Sequence, residues 1–388
     1  MSFSHAQNLQ SSEFNSEICI PYDFTLSKLF AQSSDPGGTD TIDFTARINR
    51  VDTAITCQIT GGQTSKTDDV HTPTGLAGDS VSMKIVSSAG MPAWNPTSGT
   101  VHIECGNGKS FIGGGSSSAS TTTTSYWNPN GGSSDTTLAF RDHPCPTGFT
   151  LERFYLKIET APGAGNGWTF DILKNGVATA ATFDITGTAK SGSITGLSVA
   201  FTAGDTMTVR RRVQSGTPTA YTGMAWGIGI APDTPGEHIY MTTNTSTPTN
   251  TGVQKHCQIQ GTQSDATDAD AYSTDGVPRI DMVLKKFYGI STTAPGAGTT
   301  WQFWLNDGTD VQSAVTFTIS DTATTGNDTS NTATLTAATD YTHVTYQATV
   351  GAPATSGKML FGYVGFIAEA GGADAVPQCL EQYRTRRG

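Results

Sequence analysis

Two stretches of the chain say nearly the same thing: TLERFYLKIETAPGAGNGWTFDILKNG from Thr150, and LKKFYGISTTAPGAGTTWQFWLNDG from Leu284. A fainter copy, TLSKLFAQSSDPGGTDTIDFTARIN, starts at Thr25. An internal repeat constrains a fold more than composition does, because each copy must build the same unit. Leu26, Leu151 and Leu284 become equivalent, each followed two residues later by Lys28, Arg153 or Lys286 and then by an apolar pair. Pro36, Pro162 and Pro295 follow the leucines by 10, 11 and 11 residues, and Asp79, Asp205 and Asp340 by 53, 54 and 56. Three units share one plan.

The grammar of that plan is β. The segment ahead of Pro-Gly alternates apolar and polar residues, the signature of a half-buried strand. Proline lacks the N–H a ladder needs, so APGAG is a loop. Trp168, Phe170 and Ile172, then Trp301, Phe303 and Leu305, recur at every second position and share one face of the next strand. Asn175-Gly176 and Asp307-Gly308 are hairpin turns. Asp79, Asp205 and Asp340, each directly after a tight turn, read as turn-bonding side chains rather than catalytic carboxylates. Each unit closes on an apolar run: Val101 to Ile103, Met224 to Ile230 and Met359 to Ile367. Glu13 to Ile20, Thr136 to Phe140 and Val253 to Gln260 are candidates for additional strands. The best helical segment is a short one, Pro377 to Arg387.

The expected architecture is all-β: three tandem antiparallel β-sandwich, jelly-roll-like domains, because an open sheet must bury its apolar face. The boundaries fall at 1–105 (an N-terminal arm plus the first sandwich), 106–233, 234–370, and a C-terminal tail at 371–388. Linkers are expected near Cys105 to Gly115 and near Pro232 to Gly236.

Charge and motifs exclude much. Charged residues make up 14% of the chain and the net charge is −11, which speaks against a nucleic-acid partner, since phosphate binding needs a basic face. No apolar run reaches the roughly 20 residues of a membrane span, and the N-terminus reads as no export signal, which implies synthesis in the cytoplasm. The cysteines at 19, 57, 105, 145, 257 and 379 form no CxxC or CxH pair and read as buried thiols. GNGKS from Gly106 lacks the first glycine of a phosphate loop and reads as a turn. With no GxSxG, HExxH or paired carboxylates, no enzyme activity, cofactor or metal is expected.

Three features remain. Arg210, Arg211 and Arg212 read as a solvated or interface strand neutralising nearby carboxylates. Tyr126-Trp127 lies in SSASTTTTSYWNPNGGSS, a loop found only in the middle unit, and is either a ligand platform for a carbohydrate or an interface plug. Arg384, Arg386 and Arg387 crowd the end of an acidic chain, where guanidinium forks suit a carboxylate-lined docking groove.

A basic-aromatic strand, a TAPGAG loop, an aromatic strand ending in NG and a later AGD turn resemble a β-sandwich module of virion proteins in tailed bacteriophages. The resemblance covers about 85 residues in each of three places; the first copy departs from it, with DPGGTD for the loop and INRVD for the NG turn. It implies a head decoration, head fibre or tail appendage located in the virion. Its expected partners are the major capsid protein or other virion proteins and copies of itself, with a homotrimer as the expected state. It carries over no catalytic residues.

Overall fold

The computed structural model describes residues 17–33, 35–88, 98–106, 109–116, 123–244, 254–257, 261–263, 281–307, 312–336, 342–354 and 357–367. Asp340, the segment 377–387 and the three C-terminal arginines lie outside them. Among the described residues there is no α-helix, and six sheets pair into three sandwiches.

The first sandwich contains β1 (Ile18–Cys19), β2 (Phe24–Gln32), β3 (Thr41–Ile48), β4 (Val51–Thr60), β5 (Ser65–Asp68), β6 (Thr74–Gly75), β7 (Ser80–Ser87) and β8 (Ser98–Cys105). One sheet runs β1-β7-β3-β4, and the other has β2 between β8 on one side and β5 and β6 on the other. The middle sandwich contains β9 (Ser110–Ser116), β10 (Ser125–Trp127), β11 (His143–Pro144), β12 (Phe149–Ile158), β13 (Gly163–Lys174), β14 (Val177–Gly187), β15 (Ser191–Ile194), β16 (Val199–Phe201), β17 (Thr206–Ser215) and β18 (Met224–Pro232). Its sheets run β10-β17-β13-β14 and β15-β12-β18-β9. The third contains β19 (Glu237–Asn244), β20 (Lys255–Cys257), β21 (Gly261–Gln263), β22 (Met282–Ser291), β23 (Gly296–Asn306), β24 (Gln312–Asp321), β25 (Thr325–Leu335), β26 (Val344–Val350) and β27 (Met359–Phe366). Its sheets run β20-β26-β23-β24 and β25-β22-β27-β19-β21. The β19–β21 pair is parallel; the other described pairs are antiparallel.

The repeat maps onto one strand order. The leucine strand (β2, β12, β22) pairs with the closing strand (β8, β18, β27), and the aromatic hairpin (β3-β4, β13-β14, β23-β24) pairs with β7, β17 or β26. Two recurring oddities of the repeat are strand devices. The basic residue and its apolar neighbour interrupt the period of two because a β-bulge sits there, with register shifts at Ser27/Phe30, Leu151/Arg153 and Lys285/Tyr288; a bulge re-aims the side chain at its apex. Asn175 bonds Asp205 through Nδ2 at 2.7 Å, and Asn49 bonds Asp79 at 2.6 Å. Each aspartate also accepts a backbone N–H three residues upstream, from Thr202 or Leu76. These carboxylates tie the hairpin turn to the Gly-Asp turn.

Trp168, Phe170, Trp301 and Phe303 are fully buried between their sheets. Two segments differ from the sequence expectation. Leu138–Phe140 forms a 3-10 turn rather than a strand, because no partner strand takes up its backbone groups. The glycine run Gly113–Gly115, expected to be linker, lies in β9, which pairs with β18 along its length. Strand glycines serve where another backbone must come close: a Cβ on Gly114 would meet Gly131 and the Trp226 ring.

Candidate functional site: the seams between sandwiches

The sandwiches meet through two seams of the same construction. At the first, the end of β1 and the residues after it lie across the outer face of β18. A Cβ on Gly227 would collide with the Cys19 carbonyl, and one on Gly229 would stand 2.9 Å from the Tyr22 ring. At the second, the end of β11 and the residues after it lie across β27, where a Cβ on Gly362 would collide with the Pro144 carbonyl and stand 3.2 Å from Pro146. Register makes Gly227 and Gly362 equivalent, opposite Tyr155 and Tyr288. The equivalent position of the first sandwich, opposite Phe30, is Thr100.

An added strand completes each seam. Phe111 of β9 belongs to the first sandwich's core while its neighbour Ile112 belongs to the second's. Likewise Ile239 and Met241 of β19 enter the middle core, and Tyr240 between them enters the third. Alternation along a strand lets one element serve two cores.

The bulge residues supply the cations. Arg153 donates to the Pro21 carbonyl at 3.2 Å and stands 4.8 Å over the Tyr22 ring. Lys286 donates to Thr147 at 2.9 Å and to Glu237 at 2.6 Å, and Lys285 reaches the same carboxylate at 2.9 Å. Glu237 is fully buried. Burial alone would raise its pKa, but the bonds from Lys286, Thr147 and Lys285 hold it below the usual value.

Charge is reversed between the seams at equivalent positions. The first seam pairs Lys109 with Glu152 at 2.6 Å; the second pairs Glu237 with Lys285. The two pairs therefore run with opposite polarity between equivalent strands. We expect Lys109→Glu to lower stability by about 1 kcal/mol, the scale of a partly exposed pair, and Glu152→Lys to restore part of that loss. Denaturant midpoints of the two single variants and the double variant test this coupling; additive losses would rule it out.

The middle-unit loop contributes to the second seam. Trp127, expected as either a ligand platform or an interface plug together with Tyr126, is fully buried with its ring 6.4 Å edge-on from Trp226. The residues after it clamp β19: Asn128 Nδ2 donates to the Met241 carbonyl at 3.2 Å, and the Met241 N–H donates to Asn130 Oδ1 at 2.8 Å. Arg210 and Arg212 meet the buried Asp171 at 2.7 and 3.3 Å. Arg211 departs from the expected solvated strand and is fully buried. Cys19, Cys57, Cys105, Cys145 and Cys257 are buried and form no disulfide with one another, and burial pushes the Cys19 pKa up to about 12. Among the described residues no cluster of His, Cys, Asp or Glu could hold a metal ion. No helix of the described residues is long and apolar enough to cross a membrane.

Sequence reasoning found the strands of each seam and its basic residues, but not the seam itself. The available signal was glycine in the middle of an apolar strand, Gly227, Gly229 and Gly362, which marks close approach by another backbone.

No family model matches the chain, and no curated protein matches it. Among solved structures it is similar to the major capsid protein P2 from bacteriophage PM2, at 10% identity and a TM-score of 0.20 over 68% of this chain and 99% of that one. It is also similar to a chain of Broad Bean Stain Virus, at 10% identity and a TM-score of 0.19 over 66% and 88%. A third similar chain belongs to Sulfolobus Turreted Icosahedral Virus, at 10% identity and a TM-score of 0.12 over 90% and 81%. The functional reading below is therefore built on the chain's own geometry.

Proposed function

We propose that this chain is a non-enzymatic structural component of a virus particle, a capsid decoration or fibre protein in which three jointed sandwiches act as one spacer or knob. The observation that carries the reading is the pair of seams. Units that merely shared a chain would be joined by exposed linkers; here each joint shares a strand between two cores and adds an ion pair, partly exposed at the first seam and built on a buried carboxylate at the second, construction suited to a load-bearing array. A charge-poor surface and the module's resemblance to virion proteins of tailed bacteriophages support the same reading. Docking to the major capsid protein or another virion protein would use the C-terminal arginines Arg384, Arg386 and Arg387, and self-association would give a homotrimer.

The alternative, a carbohydrate-binding adhesin or receptor-binding tail protein, relied on Tyr126 and Trp127 as a stacking platform. Burial of Trp127 leaves Tyr126 alone for that purpose, so the structural reading is preferred.

Particles assembled with the tagged protein should carry it at high copy number after density-gradient purification, and deletion of residues 371–388 should lower incorporation at least tenfold while leaving thermal melting unchanged. Screening against glycans, esters and phosphodiesters should show no turnover. Particles lacking the protein, or a turnover abolished by changing one Asp or Glu, would overturn the reading.

A further inference from the structure

Arg211 stands between Arg210 and Arg212 on β17, so strand alternation sends it to the opposite face. Its neighbours meet Asp171 outside the core; Arg211 enters the sandwich and is fully buried. Its guanidinium carbon lies 4.2 Å from the Trp168 ring centroid, 5.6 Å from that of Tyr221 and 5.8 Å from that of Trp127. Nη2 donates to the Thr123 carbonyl at 2.6 Å and to Ser125 Oγ at 3.1 Å. Nε and Nη1 are inaccessible to solvent and have no hydrogen-bond partner. The indole nitrogens of Trp168 and Trp127 are likewise buried donors without a partner, while the Tyr221 hydroxyl turns its oxygen toward the Arg211 guanidinium and leaves its own O–H free to donate. Among the described residues no carboxylate pairs with Arg211.

The fold does not require a cation there. Arg211 lies opposite Phe170; the equivalent positions, opposite Phe303 and Phe44, hold Tyr346 and Ile85. Both sister sandwiches close over a neutral side chain. Tyr346 even keeps the aromatic contact, 5.7 Å edge-on from Trp301.

The aromatic faces offset only part of the cost of burying a guanidinium without a counter-charge. Buried donors are almost always met, and a specific exception points to a missing water or ion. A water would satisfy hydrogen bonds but leave the charge uncompensated. An anion answers both demands. Every unpartnered group here is an N–H or O–H donor, and burial pushes the Tyr221 pKa up to about 12, so its hydroxyl stays protonated. Enclosure between two tryptophans excludes a bulky organic acid and favours a small, weakly hydrated ion.

We propose that the core of the middle sandwich binds one monovalent anion of halide size, held by Nε and Nη1 of Arg211 with the Tyr221 hydroxyl beside them. Trp127, from the loop unique to this sandwich, closes the site against Trp168. The anion then neutralises a charge at the edge of the core next to the second seam.

The test uses the full chain dialysed into sodium gluconate. Replacing gluconate by chloride or bromide at constant ionic strength should raise the melting temperature saturably, by at least about 3 °C. Arg211→Met should remove that response. Crystals of the wild-type protein soaked in bromide should show an anomalous peak within hydrogen-bond reach of Arg211 Nε, a readout that stands even if the variant fails to fold. Equal melting in all salts together with no bromide peak at Arg211, or an ordered water or a carboxylate found in its place, would overturn the proposal.

Discussion

Gly227→Val will separate the first sandwich from the second. The wild-type seam places the Cys19 carbonyl where a Cβ of residue 227 would be, and Cys19 and Ala225 pack together beside it with Tyr155. Valine has no space to occupy, and backbone cannot yield as a flexible side chain can, so the cost should reach about 3 kcal/mol, the upper end for overpacking. The least costly escape is for the first sandwich to detach, since its own core of Phe24, Leu26, Leu29 and Phe44 does not involve residue 227. Calorimetry should therefore change from a coupled transition to an early, separate one, and protease should cut between β8 and β9 faster than it cuts the wild type. Gly362→Val should do the same at the second seam through Pro144 and Pro146. The control is Thr100→Gly, the equivalent position on the first sandwich; it creates no collision and should leave the coupling of the sandwiches intact. A single cooperative melt unchanged in both glycine variants would show that the seams do not hold the array together.

Much of the fold was legible because a repeat reports its own register. The alternation of Trp168, Phe170 and Ile172 places them in the core, and Asn175-Gly176 marks its hairpin, since both are local consequences of the chain's geometry. What the local pattern does not carry is partnership. Phe111 and Ile112 are adjacent apolar residues in a glycine-rich stretch, and only the arrangement of three units shows that they belong to different cores. Lys286 and Arg153 were visible as repeated basic residues, but their acceptors lie 49 and 132 positions away, at Glu237 and Pro21. Arg210 and Arg212 neutralise Asp171, whereas the period of the strand turns Arg211 to the opposite face and into the core.

Acid should unfold this protein well before its carboxylates are protonated. Burial lowers the pKa of His143, His238 and His343 to about 3 in each case. His143 faces the Arg141 carbonyl at 2.8 Å, with Arg141 itself close by; His238 faces Ser110 at 3.0 Å across the second seam; and His343 faces His256, whose Nδ1 lies 3.0 Å from its Nε2. An unfolded histidine titrates near 6.5. Above that pH the residue is neutral in both states and costs nothing. As pH falls below it, the unfolded chain takes up protons that the folded chain refuses, so stability present at pH 7 is lost progressively down to the folded pKa near 3. Three such groups give a slope approaching three protons, or about a thousandfold in the folding constant per pH unit below pH 6 if the sandwiches melt together. Asp205, held well below the usual carboxylate range by Thr202, Lys174 and Asn175 against an opposing burial effect, adds its own loss only below about pH 4. The two windows are thus separable. Urea midpoints measured from pH 8 to pH 4.5 should fall steeply in the histidine window, and His343→Gln should reduce the proton uptake on unfolding by about one. His238→Gln should do so only while the second seam is intact, which makes the loss of its contribution in Gly362→Val a second readout of that joint. A flat midpoint between pH 7 and pH 5 would show that these histidines gain access to water, or to each other's protons, without unfolding.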